Sequence, residues 1–197
     1  CMEIKYTKKT DDISWDIIHE VLWEAHASNR DKGIVMSFPA LSGEKLCEKI
    51  ELGNGNIYVA LDDNKVVGTA AYTIVNSKYW FCKQQYIYEC LASILPQYSS
   101  RGIYKKLCEF SLSEALKRHD NYICVMETHI KNSRVIKIKQ NVGYKIVAYK
   151  VCSDGHYNVI MAKWPNECPY SNIYIQAMRT KTFICAFMKK IYQSIKR

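Results

Sequence analysis

The 197-residue chain is 48% apolar and 24% charged, with 8 Gly and 4 Pro, which excludes collagen-like, low-complexity and disordered chains. A chain of this size buries about 70% of the surface its unfolded form exposes, so one core in one domain is expected without disulfide or metal staples. Its net charge of +9 is uneven. Residues 1 to 162 carry 21 Lys and Arg against 18 Asp and Glu, whereas residues 163 to 197 carry 7 against 1. A basic tail can favour nucleic acid or anionic lipid, but an ordinary solvated helix face looks the same, and no nucleic-acid partner is expected from charge alone. The longest apolar run, Phe183 to Met188, is far short of the roughly 20 residues that cross a bilayer. The polar first residues carry no leader-type apolar stretch, and the nine cysteines include no C-x-x-C pair. Both features set a cytoplasmic, reducing address as the expectation.

In chain order, Met2 to Thr7 alternates like an edge strand. Asp11 or Asp12 is expected to cap a helix carrying Ile13, Ile17, Ile18, Val21, Leu22 and Ala25 at near-helical spacing, ending near Asn29 to Gly33. Ser42 opens a second helix (Leu46, Ile50) that Gly53 stops. Asn56 to Leu61 and Lys65 to Val75 are β-rich runs joined by Asp62-Asp63-Asn64, a tight hairpin signal. A third run, Gln85 to Leu95, is stopped by Pro96, and Gly102 to Arg118 is a helix with Ile103, Leu107, Phe110 and Ala115 on one face. Tyr122 to Glu127 is a strand, Asn132 to Asn141 a helix ended at Gly143, and Lys145 to Val151 and Tyr157 to Lys163 two closing strands. This order predicts an α/β domain over residues 1 to 163, a mixed, mostly antiparallel central sheet flanked by helices. Residues 164 to 197 form a tail with a basic amphipathic helix. Ile184, Phe187, Met188, Ile191 and Ile195 repeat at helical spacing opposite Lys181, Lys189, Lys190 and Arg197. Three outcomes are open to it: docking on the domain, pairing in a homodimer, and lying on an anionic membrane surface.

The segment from Ile94 to Leu107 carries the chemistry. A strand ends at a proline, a small-residue turn follows, and a helix opens at Gly102 with Arg101, Lys105 and Lys106 close by. The N–H groups at a helix start have no intrahelical acceptor and sit at the positive end of its dipole, so this is an anion site suited to a diphosphate. The P-loop pattern and G-x-G-x-x-G are both absent.

Here the sequence resembles the GCN5-related N-acetyltransferase (GNAT) superfamily over residues 1 to 163. The family's pyrophosphate loop reads P-x-Y-R/Q-x-x-G-x-G/A, and Pro96, Tyr98 and Gly102 fall in place. Asn132 opens a later helix, Gly143-Tyr144 follows that helix, and the element order agrees. The resemblance implies a single-domain fold that binds acetyl-CoA as co-substrate. Ser99, Ser100, Arg101, Gly102, Ile103, Tyr104 and Lys105 would hold the diphosphate, Ile94 and Leu95 would pair with the pantetheine arm, and Asn132 would contact it from the other side. The acyl carbonyl would be polarised by a strand amide. Two positions depart from the pattern. Ser99 stands at the Arg/Gln position and Tyr104 at the last Gly/Ala. Moreover Lys139 stands seven residues after Asn132, where many members have a Tyr that protonates the departing thiolate. Lys139 would either donate that proton or contact the CoA phosphates.

Direct transfer to an amine needs a base. Glu89 is the acidic residue of the third long strand, and His129 at the end of the next strand is the alternative. Trp15, Trp23 and Tyr79-Trp80-Phe81 either line an acceptor pocket or pack in the core. No cluster has metal-ligand spacing, so no metal is expected. The expected activity is N-acetyl transfer from acetyl-CoA to a primary amine of a small molecule. A non-catalytic acyl-CoA-binding module is the alternative.

Overall fold

A computed structural model describes residues 3–34, 41–152 and 155–195. Met2, at the head of the expected first strand, and Arg197, counted among the tail's cations, lie outside the described residues. The chain forms two compact units, Cys1–Asn76 with Ile87–Asp120 and Ser77–Tyr86 with Asn121–Arg197.

In the first unit, β1 (Lys5–Lys8), β2 (Asn56–Asp62), β3 (Lys65–Val75) and β4 (Tyr86–Ile94) are neighbours in chain order. β1 pairs antiparallel with β2, and β2 with β3 from Asn56↔Tyr72 to Asp62↔Lys65. The turn between them is Asp63-Asn64, both left-handed at φ 46° and 67°. Two such residues match the twist of a hairpin, and Asp and Asn tolerate the conformation at low cost. Helix α1 (Trp15–Ala25) is capped not by Asp11 or Asp12 but by Ser14, whose Oγ accepts from Ile17 N. Ile13 therefore lies outside the helix although it is buried. The helix ends at Ala25, the last residue of its apolar spacing, short of the expected end near Asn29 to Gly33. It breaks at His26, and the short α2 (Ala27–Asp31) carries the chain on. Helix α3 (Gly43–Leu52) has its expected cap, Ser42, and its expected stop, Gly53. Ile18, Leu22 and Leu46 are fully buried, each worth about 2 kcal/mol over an exposed side chain. They fix α1 and α3 against one another, and α4 (Ile103–Leu116) packs on β2 and β3.

In the second unit, the strand order is β5 (Cys124–His129), β7 (Tyr157–Lys163), β6 (Lys145–Val151), antiparallel throughout. The strand expected over Tyr122 to Glu127 is displaced two residues toward the C-terminus. Thr128 and His129 look like loop residues in isolation, but their ladder with Val159 and Asn158 keeps them extended. Helix α5 is Ser133–Asn141 and α6 is Asn172–Ile195. Helix α6 packs on β6, but not by the expected stripe. Ile175 and Ala186 are its buried residues, while Ile184, Phe187, Met188, Ile191 and Ile195 are all exposed. No described helix is long and apolar enough to cross a membrane.

Gly68 on β3 shows how tightly β4 is held. A Cβ there would lie 2.2 Å from Ile94 Cδ1 and 2.9 Å from Ser93 O. The first neighbour is the end of a side chain that can turn away; the second is backbone and cannot. Gly68→Ala is therefore expected to lower unfolding free energy by about 1 to 3 kcal/mol, read by urea denaturation. An unchanged midpoint would show that β4 does not approach β3 this closely.

Candidate functional site

The first unit holds the loop singled out in the sequence. Strand β4 ends at Ile94, and Leu95 is buried and donates its N–H to Val67 O at 2.9 Å. A 3-10 turn over Pro96–Tyr98 follows, then Ser99, Ser100, Arg101 and Gly102 lead into α4. Two residues of this loop are left-handed, Ser100 at φ 65° and Gly102 at φ 76°. Left-handed backbone costs an L-residue about 1 kcal/mol or more, which accounts for glycine at 102. A Cβ at Gly102 would meet nothing within 4 Å, so the space above the helix start is open. The N–H groups of Ile103, Tyr104 and Lys105 open the helix there, and the dipole makes that space favourable for an anion. Arg101, Lys105 and Lys106 are exposed around it. Lys105 lies 3.8 Å from Glu109, a surface pair too weak to withdraw it from a phosphate. The residues present thus fit a diphosphate.

The loop is tied down by Tyr98, whose hydroxyl donates to Asp62 Oδ2 at 2.7 Å on the β2–β3 hairpin. Arg101 lies over the Tyr98 ring at 5.5 Å. Accepting that hydrogen bond, Asp62 raises the Tyr98 phenol above its ordinary pKa. The motif tyrosine therefore anchors the loop to the neighbouring hairpin.

Strand β4 carries a feature that the sequence did not signal. Leu91, in mid-strand, is left-handed at φ 51°, a conformation expected of glycine. Thr69 on β3 donates its hydroxyl to Leu91 O at 2.6 Å and lies 3.2 Å from Ser93 Oγ. One peptide of β4 is thus turned and held by a side chain, a local strain of the kind that collects at working sites. Residues 88–92 are half-buried, whereas 66–73 of β3 are buried throughout. Glu89 belongs to this less covered stretch. The Tyr104 phenol is raised well above its ordinary range, by burial first, then by Cys108 and by the negative charge of Glu89. Beside Glu89, burial pushes the Cys90 thiol up to about 12. At neutral pH that thiol carries almost no thiolate and is a poor nucleophile.

In the second unit, Asn132 caps α5 through its backbone position alone, and its amide nitrogen donates to Thr128 Oγ1 at 3.1 Å. His129 is buried, its Nδ1 accepts from Lys131 N at 3.0 Å, and its ring lies 5.3 Å from that of His156. A ring whose Nδ1 accepts a backbone N–H carries its proton on Nε2 when neutral. Lys139 is buried with its ammonium 4.8 Å from the centre of the Tyr144 ring, and Tyr144 N donates to Lys139 O. Sequence reasoning passed over Glu127. Its carboxylate accepts from Asn158 Nδ2 at 2.7 Å and from Lys150 Nζ at 3.1 and 3.2 Å, and its charge adds to the burial that raises the Tyr79 phenol. Only the cross-strand register of β5, β6 and β7 brings these three together, which no local pattern encodes.

The aromatic residues divide. Tyr79 stacks on Phe81 at 5.1 Å, and Trp80 meets Phe81, Tyr170 and Tyr174 edge-on, so these mainly pack. Trp80 also lines a groove of about 460 Å³ in the second unit. Trp23, by contrast, is exposed, carries Arg30 3.7 Å above its ring, and borders a hollow of about 680 Å³ with His19 and Glu20 in the first unit. Trp15 has Lys9 at 5.2 Å. Among the described residues, no group of three His, Cys, Asp or Glu is placed to hold a metal.

Residues 15–144 match the model of the Acetyltransferase (GNAT) family. No curated protein matches the chain. Among solved structures, the PaiA N-acetyltransferase of Thermoplasma acidophilum in complex with coenzyme A superposes with a TM-score of 0.63 at 18% identity, over 83% of this chain and 99% of that one. The NatC complex bound to Gag peptide and CoA gives 0.65 at 14%, over 83% and 99%. The ribosomal-protein-S18-alanine N-acetyltransferase of Escherichia coli gives 0.62 at 14%, over 86% and 98%. At such identities these structures speak for the fold, and the family match speaks for kinship. The chain belongs to the GNAT acetyltransferase family.

Proposed function

We propose that the protein transfers an acetyl group from acetyl-CoA to a primary amine of a small molecule, by direct attack with no acyl-enzyme. The observation that carries this reading is the β4–α4 loop, with its two left-handed residues, open helix start and ring of cations. It suits the diphosphate of CoA, and the family match over residues 15–144 favours transfer over binding alone. The neighbouring CoA complexes support the same co-substrate. Asn132 and Lys139 enter the reading through the family resemblance alone.

In the proposed reaction the amine nitrogen attacks the thioester carbonyl, the oxyanion collapses, and CoA leaves as the thiolate, which takes a proton from water or from Lys139, the donor position that the family resemblance implies. Glu89 takes the proton of the attacking amine, directly or through water. It is preferred to His129, whose Nδ1 is already occupied. The turned peptide at Leu91 supplies a backbone donor to the carbonyl oxygen. Cys90 is assigned no covalent part, because its raised pKa leaves it protonated. The acceptor is less constrained. Arg30 already covers one face of the exposed Trp23, and the hollow beside it carries Glu20; the stock of aromatic residues favours an amino sugar or nucleotide-sugar amine. Peptide acceptors, like that in the NatC complex, are the competing class.

Release of CoA thiol, followed over a panel of amino sugars, polyamines and peptide N-termini, tests this reading. Glu89→Gln is expected to lower kcat about a hundredfold or more with acetyl-CoA affinity unchanged. Unaltered kcat would remove Glu89 from the role. Tyr98→Phe, which cuts the loop's tether, is expected to raise KM for acetyl-CoA by about tenfold or less while kcat stays within about twofold; no change in KM would mean that the tether does not order the loop.

A further inference from the structure

Helix α6 has two apolar faces, and the protein uses one. Ile175 and Ala186 are buried, with Met178 and Thr182 half-buried on the same side, where the helix packs on β6. At 3.6 residues per turn, Ile173, Ile184, Phe187, Met188, Ile191 and Ile195 fall on the opposite side. All are exposed, Ile173 at 82%, Ile184 at 54% and Ile195 at 77%. A row of six large apolar side chains along a 24-residue helix is much more than the scattered exposed apolar residues of an ordinary surface.

Charge identifies what this face meets. Helix α6 carries Arg179, Lys181, Lys189 and Lys190 and no acidic residue, and Glu167 is the one acid after residue 162. Arg179 and Lys190 lie over the Tyr149 and Tyr157 rings, and Lys181 and Lys189 stand exposed beside a groove. Lys181 flanks the row, while Arg179, Lys189 and Lys190 lie toward the docked side; a second copy would add the same net positive charge along α6 and no acidic residue, so it offers this helix no counter-charge. An anionic bilayer supplies both what the row lacks, an apolar phase, and what the cations lack, a negative surface. We propose that α6 lies in the plane of an anionic membrane surface, with Ile184, Phe187, Met188, Ile191 and Ile195 in the acyl boundary. The helix lies on the bilayer and does not cross it.

The test is partition of the full chain onto vesicles of phosphatidylcholine alone and of phosphatidylcholine mixed equally with phosphatidylglycerol. Binding is expected only to the anionic vesicles and should weaken as salt rises. The Phe187→Ser/Ile191→Ser variant should bind about thirtyfold more weakly, and Lys181→Gln/Lys189→Gln likewise by about thirtyfold. These side chains are exposed, and circular dichroism should show the fold retained. Should the serine variant fail to fold, the glutamine variant and the salt series decide the matter. Failure to bind anionic vesicles, or equal binding to both compositions, would overturn the proposal. So would a dimer in solution that the serine variant dissociates, which would assign the face to a second copy.

Discussion

The backbone path from β4 into α4 is the constraint on which the site depends. To present N–H groups to an anion, a helix must begin without a side-chain cap, and the preceding chain must turn away. Gly102 begins α4 with no side-chain cap and in left-handed geometry, and Ser100 supplies the second left-handed turn. Beyond the 3-10 turn, with Tyr98 N on Leu95 O and Ser99 N on Pro96 O, such a loop gains few backbone bonds of its own. It keeps its shape through Tyr98 on Asp62, Leu95 on Val67, and the close packing of β4 over Gly68. The hairpin turn at Asp63-Asn64 sits beside one of these anchors, so the local chemistry of a two-residue turn bears on the placement of the phosphate site.

Strand β4 shows how a reactive group and its surroundings are tuned together. Glu89, Cys90 and Leu91 are consecutive. Burial keeps the thiol protonated, the carboxylate of the proposed base is half-covered, and the turned peptide at Leu91 is held by Thr69. The strain at Leu91 persists because β3 fixes it through the Thr69 hydroxyl.

What could be read from the sequence was whatever local chemistry dictates. The Asp63-Asn64 turn, the Ser42 cap, the Gly53 stop, the closing strands and the loop from Pro96 to Gly102 all follow from residue types at short spacing. Ser14 in place of Asp11 or Asp12 shows the limit of that reasoning, since three capping residues within four positions compete and tertiary packing chooses among them. The pairing of Glu127 with Lys150 and Asn158 depends on register across three strands, and the left-handed Leu91 has no glycine to announce it. Helix α6 was read as amphipathic correctly, but its stronger apolar row was not the face that docks. Ile175 and Ala186 are buried where the helix packs on β6, a tertiary choice that hydropathy along the helix does not capture.

The central claim is that the β4–α4 loop is a CoA diphosphate site. Calorimetric titration of acetyl-CoA into the intact protein and into Gly102→Glu tests it most directly, because the added side chain is forced into left-handed backbone and brings a carboxylate to the helix start. Micromolar binding by the intact protein that disappears in a variant of unchanged circular dichroism is the predicted result. No binding by the intact protein, or equal binding by both, would contradict the account.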